Sequence, residues 1–85
     1  MQSNRGGILY MDYKFEVGEI VCIKPNFIEL WNQNRPILPL EQVIEHIESM
    51  IGKGFEVLDR SSWDGENLYN VDGFGLEEYI LEKYE

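Results

Sequence analysis

Two Asp-Gly pairs, Asp64-Gly65 and Asp72-Gly73, each set beside short runs of alternating apolar residues, constrain this chain more than any other feature. Asp-Gly suits a two-residue turn in which both central residues take positive φ, the connection whose twist matches that of paired strands. Phe55 and Val57 share one face of an extended run, Tyr69 and Val71 share one face of the next, and Asp64-Gly65 joins the two. Asp72-Gly73 turns the chain again before residues 76–84. The stretch 52–85 therefore predicts consecutive hairpins, and the earlier residues are expected to pack against them or project from them.

Residues 13–24 read as a strand. Phe15, Val17, Val21 and Ile23 have one parity, and Lys14, Glu16, Cys22 and Lys24 the other. Glu19 interrupts the inner row beside Gly18, which predicts a bend or bulge there, and Pro25 ends the ladder because it has no N–H to donate. In residues 39–51 the period changes. Leu40, Val43, Ile44, Ile47, Met50 and Ile51 form a helical stripe opposite Glu41, Gln42, Glu45, His46, Glu48 and Ser49. Pro39 suits the first turn and Gly52 the stop. The stripe is expected to pack on the sheet, with a homodimer contact as the alternative, and the polar face forms an acidic ridge. Between strand and helix, Phe27, Ile28, Leu30 and Trp31 precede a loop over residues 32–36. They are expected to cover one end of the sheet, or to leave Phe27 or Trp31 exposed beside Arg35 as a partner anchor. In residues 76–84, Leu76, Tyr79, Ile80 and Tyr84 can line one helical face; one turn followed by a short closing strand is the preferred reading, because the hairpins otherwise lack an end partner.

The phrase Phe15-Glu-Val-Gly-Glu-Ile-Val-Cys-Ile23 resembles the opening strand of small SH3-like barrels. Phe55-Glu-Val-Leu58, Leu68-Tyr-Asn-Val71 and Leu76-Glu-Glu-Tyr-Ile-Leu-Glu82 are similar to their closing order of two hairpin strands, one helical turn and a last strand. The likeness covers about two thirds of the chain. It implies a mainly β fold, an SH3-like barrel of four or five strands with one helix inserted after the first. An open α+β sandwich is the alternative. The chain departs from the pattern over residues 26–51, which exceed the usual first loop. The aromatic pair of the peptide-binding SH3 groove is not recognisable, so that groove is not carried over.

A chain of 85 residues makes one domain and buries roughly 60–65% of its unfolded surface. Residues 11–85 are read as that domain. Residues 1–10 are read as a flexible or translated leader, because Arg5-Gly6-Gly7 can be encoded by a ribosome-binding sequence placed ahead of Met11; an ordinary frayed terminus is the alternative. A translated leader would mean a bacterial or phage source and a bacterial host cytoplasm. No apolar run approaches the roughly 18 residues of a membrane span. Cys22 is the only cysteine, which excludes an internal disulfide and a thiolate zinc cluster.

Charge is placed unevenly. Residues 1–40 hold four acids and four bases, so the net charge of −9 lies wholly in residues 41–85. Such a surface repels nucleic acid and anionic membranes and attracts a basic protein surface. His46 is the sole histidine, on a polar helix face, and neither Cys22 nor Ser61 or Ser62 shows a sequence sign of contact with it. Asp59, Asp64, Glu66 and Asp72 do not follow the calcium-loop spacing.

The expectation is a non-enzymatic protein-binding module without cofactor or metal, monomer or homodimer, with a basic protein partner. An inhibitor of a host or defence protein, encoded by phage or prophage and acting by surface occlusion, is the particular form expected. The partner-binding candidates are Phe27, Trp31, Arg35, Glu41, Glu45, Glu48, Trp63, Asp64 and Glu66. The alternatives are a nucleic-acid mimic, in which Glu41, Glu45 and Glu48 with Asp59, Asp64, Glu66 and Asp72 imitate phosphate rows on one surface, and an oligomeric sponge for a small nucleotide.

Overall fold

A computed structural model describes residues 12–85. The leader reading of residues 1–10 and the start at Met11 lie outside the described residues. The chain runs β1 (Ile20–Ile23), α1 (Phe27–Asn34), α2 (Glu41–Met50), β2 (Phe55–Trp63), β3 (Glu66–Val71), β4 (Phe74–Glu77), a 3-10 turn (Glu78–Ile80) and β5 (Leu81–Lys83). The strands make one antiparallel sheet in the order β4-β3-β2-β1-β5, so the fold is mainly β with two helices.

Both Asp-Gly pairs make the turns their sequence predicts. Asp64 and Gly65 have φ of 52° and 81°, and Asp72 and Gly73 have 55° and 84°. That geometry sets Trp63 opposite Glu66 and Val71 opposite Phe74. β2 is shared by two ladders: Phe55 and Glu56 pair with β1, and residues from Val57 onward pair with β3. The register shifts between Val57 and Asp59, leaving Leu58 as an extra residue that bends the strand. After the 3-10 turn, β5 pairs with β1, so the turn-then-strand reading of the last segment holds.

One core serves the described residues. Val21, Ile23, Val57, Tyr69, Val71, Leu76 and Leu81 from the strands meet Phe27 and Trp31 of α1 and Ile47 and Met50 of α2.

Four expectations are corrected. Residues 26–51 contain two helices rather than one. α1 places Phe27 and Trp31 four residues apart, their rings edge to face at 5.2 Å, and it stops at Arg35, which is extended because Pro36 disfavours helix in the residue before it. Phe27 and Trp31 are both buried, as the covering reading expects, and it is the exposed-anchor alternative that falls. Only Ile20–Ile23 of residues 13–24 is strand. Gly18 sits at φ 94° and breaks the extended run, leaving Val17 exposed although Phe15 is buried. Leu40 precedes the helix, which begins at Glu41, and stays exposed instead of joining the stripe. The rest of the stripe packs inward, with Ile47 and Met50 buried and Val43, Ile44 and Ile51 lying against the core.

Candidate functional site

The β2–β3 hairpin tip gathers three of the predicted residues. Trp63, Asp64 and Glu66 are all exposed there, and Trp63 leaves 74% of its surface to solvent. An indole in that position lies outside the core, and the turn beside it fixes which face of the sheet it stands on.

The inner face of the hairpin is tied down by a polar network. Asn67 is buried and fully used: its Nδ2 donates to Asp12 O at 2.9 Å and Glu78 Oε2 at 3.1 Å, and its Oδ1 accepts from Ser62 Oγ at 3.0 Å. The Tyr69 hydroxyl donates to Glu78 Oε2 and accepts from the backbone N–H of Lys14 at 2.9 Å and of Phe15 at 3.2 Å. Lys14 N–H also donates to Glu78 Oε2 at 2.9 Å. Arg60 sends its guanidinium to the same side, donating to Phe15 O at 3.2 Å and lying 4.5 Å from the Tyr13 ring centre. Residues 12–16 are thus held across the sheet by side chains, without a ladder of their own.

These contacts displace two titrations. Burial, and then the carboxylate it donates to, push the Tyr69 hydroxyl up to about 12, against the backbone donors of Phe15 and Lys14. Burial acts to raise Glu78, but hydrogen bonds from Tyr69, the Lys14 N–H and Asn67 outweigh it and hold this carboxyl below its ordinary value. Sequence reading missed this cluster, because nothing in the local pattern links Tyr69 to a backbone 54 residues earlier.

Arg35 is committed within the fold. Its Nη1 lies 3.0 Å from Glu77 Oε2 and its guanidinium 5.4 Å from the Trp31 ring, while Trp31 Nε1 donates to Glu77 Oε1 at 2.9 Å. The triad joins α1 to the end of β4. It withdraws Arg35 from the role of a free anchor. Nearby, burial and then Glu77 and Glu66 push Tyr79 up to about 12, with Arg35 opposing.

Glu41, Glu45 and Glu48 are exposed on α2. That helix sits at the far end of β3, where His46 stacks on Phe74 at 4.7 Å and its Nε2 lies 3.5 Å from Asp72 Oδ2. The length of β3, roughly 17 Å for its five residue steps, separates this ridge from Glu66. Of the other acids, Asp72 stands beside α2, and Asp64 and Glu66 stand at the β2–β3 tip.

On the face that carries Trp63, the side chains of Asp59, Ser61, Leu68 and Asn70 and the bare Gly75 line a shallow groove of about 240 Å³. Strand alternation puts them opposite the buried Asn67, Tyr69 and Val71. Among the described residues no three His, Cys, Asp or Glu side chains converge to hold a metal ion. No helix among them is long and apolar enough to cross a membrane. Cys22 is half-buried, and burial followed by the charge of Glu82 pushes its thiol up, which lowers its reactivity.

Compared with known proteins, the chain matches no family model, no curated protein sequence and no solved structure.

Proposed function

We propose that this chain is a small acidic protein-binding module that presents Trp63, flanked by Asp64 and Glu66, to a basic surface of a protein partner. The observation that carries this reading is a tryptophan exposed at 74% on a hairpin whose other face is pinned by a saturated polar network. Exposing an indole to water is unfavourable, and tryptophan is among the residues that most often dominate binding energy once a partner covers them. The hydrogen-bonded hairpin beneath it limits the backbone entropy to be lost on association. The net charge of −9 steers the encounter toward basic partners.

The finer fold reading belongs to the same proposal. The order β4-β3-β2-β1-β5, with a single 3-10 turn leading into β5, supports an SH3-like barrel in which α1 and α2 occupy the place of the first long loop. In its particular form the module is a phage- or prophage-encoded inhibitor of a host or defence protein, working in the bacterial cytoplasm by covering a surface. Small size, acidity and an exposed aromatic tip support that form.

The test is capture from bacterial lysate by the wild type and by Trp63→Ala, read by mass spectrometry at low and moderate salt. Proteins held by the wild type should be lost with Trp63→Ala and weakened by salt. Retention of the same proteins by both forms refutes the reading.

A further inference from the structure

The groove beside Trp63 has a shape and charge that name its occupant more closely, on the basis of the binding reading above. Gly75 stands opposite Asn70 on the edge strand β4. Its backbone does not need glycine: it has no positive φ, and an added Cβ would meet nothing within 4 Å. The missing side chain is what keeps the groove open. Leu68, half-buried, provides an apolar floor, and Asp59, Ser61 and Asn70 provide polar walls.

Two of those walls are set in place by the backbone. Asp59 Oδ1 accepts from the N–H of Arg60 at 2.8 Å, and Asn70 Oδ1 accepts from that of Gly73 at 3.1 Å. The other carboxylate oxygen of Asp59 has no hydrogen bond among the described residues. The charge is not neutralised from within the groove, because Arg60, whose backbone lines it, sends its guanidinium through to Phe15 O on the opposite face. The volume of about 240 Å³ is below the roughly 300–1,000 Å³ of small-molecule sites, and suits one long side chain better than a nucleotide. Trp63 lies two residues beyond Ser61 on the same face of β2, so an indole stands past the Ser61–Leu68 end of the groove.

We infer that this groove seats one arginine side chain presented by the protein partner, with its guanidinium on Asp59 and its stem along Leu68. Arginine suits the site because the Asp59 carboxylate matches its planar fork and the apolar Leu68 its stem.

The probe is the blocked peptide acetyl-Gly-Arg-Gly-amide, titrated into the full chain labelled with nitrogen-15 and followed by NMR, beside peptides carrying citrulline or glutamate instead of arginine. Saturable shifts are expected in the amides of Ser61, Leu68, Asn70 and Gly75 and in the Trp63 indole N–H. Binding should weaken about tenfold in Asp59→Asn, which keeps the shape and removes the charge, and vanish in Gly75→Leu, which fills the groove. Equal shifts with citrulline, shifts confined elsewhere, or unchanged binding by either variant overturn the inference. The two readings fail separately. Partner capture lost with Trp63→Ala but kept at wild-type strength with Gly75→Leu leaves the binding module standing and removes the arginine seat.

Discussion

Replacing Tyr69 with phenylalanine isolates the hydroxyl that ties residues 12–16 to the sheet. The ring stays, with its edge-to-face neighbours Phe15 at 5.3 Å and Tyr13 at 6.1 Å, so no large cavity opens. Three hydrogen bonds disappear, but their costs differ. Lys14 N–H keeps Glu78 Oε2 as a partner, and Glu78 keeps its bonds from Lys14 and Asn67. The Phe15 N–H, in a residue that is fully buried, is left without an acceptor. An orphaned buried donor costs about 1–3 kcal/mol and a lost bond to a charged group about 1.5–3 kcal/mol; because the terms overlap, we expect about 3 kcal/mol in all. For a domain of this size that lowers Tm by roughly 12–24 °C. Urea denaturation at pH 7 should show the loss as a shifted midpoint with an unchanged slope.

The same substitution should alter the acid response. Glu78 has a lowered pKa in the folded state, so its contribution is present above its unfolded pKa and lost as pH falls through the folded one. The Tyr69 hydroxyl is its leading stabilising donor. Tyr69→Phe should therefore lose less stability than the wild type between pH 7 and pH 3, and the gap between the two proteins should narrow in acid. A loss below about 1 kcal/mol at pH 7, with parallel pH curves, would refute the claim that this network anchors the segment.

In alkali, Tyr69 and Tyr79 should both ionise near pH 12, above the ordinary value of 10. Their raised folded pKa values mean stability fully present below about pH 10 and lost as pH rises toward 12, so phenolate absorbance and unfolding should rise together there; early ionisation of every tyrosine contradicts this. Gly54→Ala would place a Cβ 2.8 Å from Ile20 Cγ2 and from the Tyr84 ring, while Gly75→Ala meets open space. Thermal melts should show the first destabilised by about 1–2 kcal/mol and the second unchanged or slightly stabilised, and equal effects at the two sites would refute the packing described around Gly54.

Local chemistry in the sequence determined the two hairpin turns, the α2 stripe and the end of β1. Each depends on residues no more than a few positions apart: Asp-Gly for positive φ, a 3.6-residue period for a buried face, Pro25 to end a ladder. Trp63, Asp64 and Glu66 were legible as a group for the same reason, since one turn holds all three. Tertiary structure alone decided the remainder. The second half of α1 reads as a loop because Asn32-Gln33-Asn34 offers little helical preference, and it is burial of Phe27 and Trp31 against strands far away in the chain that makes the segment a helix. Arg35 lost its apparent freedom to Glu77, 42 residues on, and the Tyr69, Asn67 and Glu78 cluster meets a backbone more than 50 residues earlier. Backbone preference acts over one turn of chain, whereas desolvation and hydrogen-bond partners depend on which distant segments the fold brings together.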